Sequence, residues 1–161
     1  MFKPKKKTFF LLAAVLLPPR VHGSVTDGRA VQNLNNEDAM RIAVFGTGGA
    51  GGYFGARLAE AGEEVVFIAR GEHLQAMQTS GLRVESIKGD MHIQPAQAHA
   101  DPAQAGVADV VLVGVKTWQV EAAARAMGPL LGPETAVLPL QNGVEAPDQL
   151  AAILGPEHVL P

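Results

Sequence analysis

The 161-residue chain lacks cysteine, long apolar runs and any cluster of metal-ligating residues. The absence of cysteine excludes disulfide bonds, thiolate nucleophiles and cysteine-ligated metal sites. The apolar run from Phe9 to Leu17 has nine residues, too few for a membrane-spanning helix, which needs about 20. The five histidines are scattered and no two stand four residues apart, so we predict no metal site.

Positive charge is scarce over most of the chain. Residues 40–161 hold seven Lys/Arg and thirteen Asp/Glu, a formal charge of −6, whereas residues 1–39 hold six and three, a charge of +3. A domain with this acidic balance has no broad basic surface, so nucleic acid is not a predicted partner. A phosphate-bearing ligand would have to be held by backbone N–H groups and one or two local cations.

From Met40 onward, short apolar runs alternate with segments of helical periodicity. Such alternation predicts βαβ units with right-handed crossovers, and therefore an α/β fold with a Rossmann-type, doubly wound parallel sheet. A turn at residues 88–90 is predicted to join two strands as a hairpin. We predict strands at 41–45, 64–69, 82–87, 91–94, 109–115, 135–140 and 158–160, and helices at 49–61, 72–79, 118–131 and 146–154.

A G-x-G-x-x-G motif follows the first predicted strand and opens the first predicted helix. In a dinucleotide-binding loop, Gly46 would permit the tight turn, Gly48 would let a pyrophosphate approach the backbone, and Gly51 would let the helix pack closely. The helix N-terminus would then offer free N–H groups to the phosphates. The alternative is a glycine-rich turn without a ligand. The predicted cofactor-binding loop comprises Gly46, Thr47, Gly48, Gly49, Ala50 and Gly51.

Arg70 follows the second strand, 19 residues after Gly51. An NAD-binding unit usually has Asp or Glu at this point, where the carboxylate accepts hydrogen bonds from the ribose hydroxyls. A guanidinium suits the 2′-phosphate of NADP(H) instead. The alternatives are a solvated surface arginine, or a ribose contact from Glu72. We predict that the cofactor is NADP(H).

Two further strand ends carry polar side chains, and ligands bind at such ends in open α/β sheets. Lys116 follows the buried strand 109–115 and could reach the cofactor, or it could be a solvated lysine at a helix start. Asn142 follows the strand 135–140; its amide could bind a substrate or the nicotinamide end, or the Asn-Gly pair could only form a tight turn. For Trp118, the one tryptophan, packing is favoured over a cofactor contact.

The first 39 residues do not fit this pattern. Four lysines precede the apolar run, and prolines and small residues follow it, as in a secretory signal peptide. The alternative is an upstream extension from a misplaced start, since Met40 stands just before the first strand. We favour the misplaced start, because NADP(H) is an intracellular cofactor, and predict a cytoplasmic protein with export as the alternative. Residues 24–39 are predicted to be a linker.

The chain from Met40 to Pro161 resembles the ketopantoate reductase (2-dehydropantoate 2-reductase) family. Four blocks carry the resemblance: GTGGAGGYFGARL, IARGEHLQAM, VKTWQVEAAA and LQNGVE. The resemblance implies NADPH-dependent reduction of 2-dehydropantoate to pantoate, on the route to pantothenate and coenzyme A. It implies that Arg70 meets the 2′-phosphate, that Lys116 lines the cofactor site, and that Asn142 touches both cofactor and substrate.

The resemblance covers only part of a family member. Members are about twice as long and carry a second, helical domain that supplies the catalytic lysine. Lys88 and Lys116 are the only lysines after residue 7, and neither belongs to that domain, so we name no catalytic residue. We expect residues 40–161 to be an incomplete NADP-binding domain with little activity alone. For the full-length protein, we consider a homodimer as the oligomeric state.

Two other functions fit the same residues. A related NADP-linked dehydrogenase could share this half and act on another 2-keto or 3-hydroxy acid, because substrate choice resides mainly in the missing domain. A nucleotide-sensing Rossmann module of a transporter or channel is of similar length and needs no catalytic domain. Such modules usually have an acid where Arg70 stands.

Overall fold

The computed structural model describes residues 39–142 and 145–160. The predicted signal-like segment before residue 24, residues 24–38 of the predicted linker and Gly143 lie outside these ranges. In chain order the elements are β1 (Arg41–Phe45), α1 (Gly49–Glu60), β2 (Glu64–Ile68), α2 (Gly71–Ser80), β3 (Leu82–Val84), β4 (Met91–Ile93), β5 (Gln97–His99), β6 (Ala108–Val113), α3 (Val120–Ala126), β7 (Leu131–Pro139) and α4 (Glu145–Leu154). Single turns of 3-10 helix occupy Pro102–Gln104, Thr117–Gln119 and Gly128–Leu130.

Five of the strands form one parallel sheet in the order β5-β2-β1-β6-β7. The chain builds outward from β1 through β2 to β5 and then crosses to the other side of β1, where β6 and β7 lie. The strand order therefore reverses between β1 and β6, and ligands bind at such a point in open α/β sheets. The predicted Rossmann-type doubly wound fold is confirmed.

The core lies on both faces of this sheet. Successive side chains of a strand point to opposite faces, and nearly every residue of β1, β2 and β6 is buried. Ala43, Val66 and Val111 pack with buried residues of α3 and α4 on one face. Val44 and Phe67 pack with α1 on the other. Burial on both faces explains why these strands are almost continuously apolar.

The predicted helix 118–131 is too long. Helix α3 ends at Ala126, and Gly128–Leu130 forms a separate 3-10 turn. The residue before a proline is disfavoured in the α region, so Pro129 prevents the helix from continuing through Gly128. Strand β7 then begins at Leu131 rather than at residue 135. It tolerates Pro133 because it lies at the edge of the sheet.

Two other strand predictions need correction. Strand β5 was not predicted, since its three residues, Gln97–His99, have no apolar run. The predicted strand 158–160 is reduced to one parallel bridge between Val137 and Val159. The hairpin is confirmed, but β3 and β4 have three residues each and form a sheet of their own, separate from the parallel one. No helix in the described ranges is long and apolar enough to cross a membrane.

Candidate cofactor-binding cleft

A cleft of about 330 Å³ opens at the carboxyl ends of β1, β2 and β6, where the strand order reverses. Of the predicted site residues, five line it, and they come from three separate strand ends: Gly46, Thr47, Gly48, Arg70 and Lys116. The first turn of α1, which holds Gly49, Ala50 and Gly51, continues the same loop. Asn142 follows the edge strand β7; it is exposed and does not line the cleft.

The turn out of β1 is shaped by close backbone packing. Gly46 has a φ of +96°, and a Cβ on it would lie 2.7 Å from Val115 Cγ1. Its N–H donates to the carbonyl of Ile68 at 3.2 Å. A Cβ on Gly51 would come within 2.0 Å of the Gly46 carbonyl oxygen. The protein itself therefore requires glycine at both positions, the first for its backbone conformation and the second for the approach of α1.

The other side of the loop is open. Gly48 is the N-cap of α1 and has ordinary extended backbone angles. A Cβ on Gly48 would lie no closer than 4.0 Å to the protein, and one on Gly49 would have no neighbour within 4 Å. No side chain among the described residues caps the helix, and its first turn has no acid, while the first N–H groups of any α-helix lack partners inside it. The start of α1 is thus unshielded and partly positive.

Two cations stand at the cleft. Arg70, exposed, is the N-cap of α2, and Lys116, also exposed, is the N-cap of the turn Thr117–Gln119. The ion pairs within residues 39–142 and 145–160 involve neither of them. The backbone N–H of Lys116 donates to Gln119 Oε1 at 3.2 Å, which fixes the start of the turn.

Gly114 is a site residue that the sequence analysis missed. A Cβ on it would lie 2.6 Å from the Gly46 carbonyl oxygen and 2.9 Å from Gly51 Cα. Its N–H donates to the carbonyl of Phe45 at 2.9 Å. The end of β6 thus packs directly on the glycine turn. A glycine inside the otherwise apolar run of residues 110–115 was the available signal, because glycine in a strand often marks close approach of another backbone.

Gln141 was also missed as a structural element of the site. Its Nε2 donates to two carbonyls, of Val113 at 3.0 Å and of Val115 at 2.8 Å. Two acceptors on one side fix the amide orientation, and Oε1 is buried without a partner in the described part of the chain. Gln141 therefore ties the end of β7 to the segment that carries Lys116.

The predicted packing role of Trp118 is wrong, since its side chain is 79% exposed. The residues that close this side of the cleft are instead Gln119, Ala122 and Ala123.

No group of His, Cys, Asp or Glu that could hold a metal occurs among the residues the structure describes. On the helix α1, a hydrogen bond from Arg57 lowers the pKa of Tyr53.

The model of the family described as ketopantoate reductase PanE/ApbA matches residues 42–161. The chain belongs to this family. The resemblance predicted from the four sequence blocks is thereby confirmed. Among curated ketopantoate reductase relatives, 2-dehydropantoate 2-reductase of Nostoc sp. is 36% identical over 120 residues, which are 74% of this chain and 37% of that protein.

Solved structures of similar proteins have the same fold. The 2-dehydropantoate 2-reductase of Geobacter metallireducens GS-15 matches with a TM-score of 0.70 and 37% identity, over 74% of this chain and 40% of the other. D-Mandelate dehydrogenase, solved with NADH and anilino(oxo)acetate, matches with a TM-score of 0.68 and 26% identity, over 74% of this chain and 39% of the other. This chain therefore spans about two fifths of the length of these ketopantoate reductase relatives.

Proposed function

We propose that this chain is the NADP(H)-binding part of an enzyme that reduces 2-dehydropantoate to pantoate, in pantothenate and coenzyme A biosynthesis. The observation that carries the proposal is the uncapped start of α1 beside Arg70 and Lys116, two cations in one cleft that form no ion pair with the described residues. The substrate and the pathway rest on the family and its relatives named 2-dehydropantoate 2-reductase. We further propose a cytoplasmic protein, with a small 2-keto acid as its partner molecule.

The cleft fits a pyrophosphate. Neither packing nor backbone conformation requires glycine at position 48 or 49. A ligand that lies directly against the backbone would explain why these two positions have no side chain. The amides at the start of α1, where Gly49 and Ala50 are exposed, would donate to the phosphate oxygens. This supports assigning the whole glycine loop to the cofactor.

Arg70 fits the extra phosphate of NADP(H). Arg70 stands at the end of β2, where an NAD-binding unit has a carboxylate, and Lys116 lines the same cleft. A guanidinium can hold a phosphate through two parallel hydrogen bonds. We therefore assign Arg70 to the 2′-phosphate of NADP(H), and Lys116 to the cofactor site without choosing one of its phosphates.

The reduction needs a hydride and a proton. When bound, the cofactor supplies the hydride that reduces the ketone. Asn142 is assigned to the cofactor and the substrate from the family resemblance. Within the described ranges, the ionisable side chains that line the cleft are Arg70 and Lys116, and both are assigned to binding the cofactor. A general acid contributes about 10²- to 10⁴-fold to a rate, so we expect this chain alone to bind NADPH and to have little reductase activity.

Calorimetric titration with NADPH and NADH tests the proposal. The wild-type chain should bind NADPH more tightly. Arg70→Ala should weaken NADPH binding about 10- to 100-fold, because a hydrogen bond to a charged group is worth about 1.5–3 kcal/mol. Affinity for NADH, which lacks the 2′-phosphate, should stay unchanged. Equal affinities in the wild type, or a preference that survives Arg70→Ala, would contradict the assignment of Arg70.

A second candidate is a dehydrogenase acting on a different 2-keto acid. The likeness to D-mandelate dehydrogenase favours it, since that structure holds NADH and anilino(oxo)acetate. The cofactor titration bears on this choice too, because tighter binding of NADH would favour this candidate. Assays of the full-length protein with 2-dehydropantoate and with aryl 2-keto acids would then identify the substrate.

A further inference from the structure

The helix that begins at Arg70 is tied to the glycine loop by a histidine. His73 lies in the first turn of α2, and its Nε2 is 3.0 Å from the carbonyl oxygen of Thr47. Thr47 is buried and belongs to the loop between β1 and α1. Because a carbonyl oxygen only accepts, the Nε2 of His73 carries the hydrogen in this bond.

Among the described residues, Leu74 also holds this end of α2, since its half-buried side chain packs against the core. Met77 is the one buried residue of the helix. The side-chain hydrogen bonds at its far end come from Gln78 Nε2 to the Ala98 carbonyl at 2.9 Å, and from His92 Nε2 to the Ser80 carbonyl at 2.8 Å. In the described part of the chain, the bond from His73 is thus the side-chain hydrogen bond that joins the N-terminal turn of α2 to the glycine loop. Its loss would leave this turn held by the packing of Leu74, with no polar link to the loop.

Arg70 and His73 share one helical turn. The N–H of Leu74 donates to the Arg70 carbonyl at 3.4 Å, so Arg70 moves with that turn. A bond from this turn to Thr47 therefore restricts how far the guanidinium can move from the glycine loop. A cofactor with a 2′-phosphate would contact both the Arg70 guanidinium and the glycine loop, whereas a cofactor without it would contact only the loop.

We propose that His73 is a positioning residue that holds Arg70 at the spacing that NADP(H) requires, and so contributes to the preference for NADPH over NADH. This rests on the proposed function, since it assumes that the cleft binds the dinucleotide. It adds a residue that touches the loop rather than the ligand, and it assigns the effect to an N–H donor rather than to charge.

Two amides of different reach test the role of the donor. His73→Asn has an N–H that is too short to reach Thr47, whereas the Gln of His73→Gln extends about as far as the imidazole Nε2. His73→Asn should weaken NADPH binding about three- to tenfold, the value of one neutral hydrogen bond, and should change NADH binding less. His73→Gln should restore most of the loss. Calorimetry on the full chain gives the dissociation constants of NADPH and of NADH for each of the two variants.

His92→Asn is the matched control, because it removes the same kind of bond from the opposite end of α2. It should lower the melting temperature about as much as His73→Asn and leave both dissociation constants unchanged. An unchanged NADPH-to-NADH ratio in His73→Asn, or no rescue by His73→Gln, would overturn the inference and leave the proposed function intact. A wild-type chain that binds neither cofactor would overturn both.

Discussion

Gly48 and Gly51 belong to one motif but answer to different demands. A Cβ on Gly51 would collide with the Gly46 carbonyl at 2.0 Å, whereas one on Gly48 would meet nothing closer than 4.0 Å. The fold explains the glycine at position 51 and leaves the glycine at position 48 unexplained. A sequence motif can therefore be divided by its structure into positions that the protein needs and positions that a ligand would need.

Gly51→Ala gives the largest effect that this comparison predicts. The added methyl group has no room against a backbone oxygen, so α1 must move away from the sheet. Overpacking of this kind costs typically 1–3 kcal/mol and occasionally more, and we expect about 3 kcal/mol at this backbone contact. Urea unfolding of the purified chain, followed by circular dichroism, would measure the loss.

Gly49→Ala is the matched control for that variant. Its Cβ would have no neighbour within 4 Å, and the position is helical. Replacing glycine by alanine at a compatible position stabilises by about 0.4–1 kcal/mol through the unfolded state. Similar stabilities for the two variants would show that the close approach of α1 to Gly46 is not what requires glycine.

Gly48→Ser separates stability from binding. A serine hydroxyl is a good N-cap and would accept from an amide of the first turn of α1, so stability should be kept or slightly raised. The same hydroxyl and Cβ would occupy the place assigned to the pyrophosphate. Binding of NADPH and NADH should fall together, about 10- to 100-fold, because hydrogen bonds to a charged group are lost.

The joint loss distinguishes this variant from Arg70→Ala, which should affect NADPH alone. Thermal unfolding and calorimetry on the same sample provide both readouts. If Gly48→Ser binds both cofactors as the wild type does, the open side of the loop is not where the phosphates lie. The glycine at position 48 would then have no explanation in this structure.

Sequence reasoning succeeded where one residue type has one local cause. Short apolar runs gave the buried strands, and the glycine spacing gave the turn, because both depend on neighbours along the chain. It failed where a distant segment decides. The close packing of Gly114 on Gly46 and Gly51 requires β6 to lie beside β1, which only the sheet order supplies.

The errors on the α3 side have similar causes. The predicted helix 118–131 runs five residues past Ala126, because its apolar periodicity continues across Pro129, which ends the helix. Trp118 was expected to pack because it is large and apolar, yet the turn that holds it faces solvent. Hydrophobicity predicts burial only when the position of the element on the core is known.

Lys116 extends the comparison to β6, where Gly114 serves the fold and the lysine two residues later has no ion-pair partner in the described ranges. Because its ammonium is an exposed point charge, Lys116→Gln should leave stability unchanged and weaken NADPH binding about three- to tenfold at low salt. The effect should shrink at about 1 M salt, where exposed charges are screened. Lys88→Gln, on the exposed turn between β3 and β4, removes the same charge away from the residues that line the cleft. If both variants lose the same NADPH affinity, the affinity depends only on the net charge of the domain. Lys116 would then have no specific role in binding the cofactor.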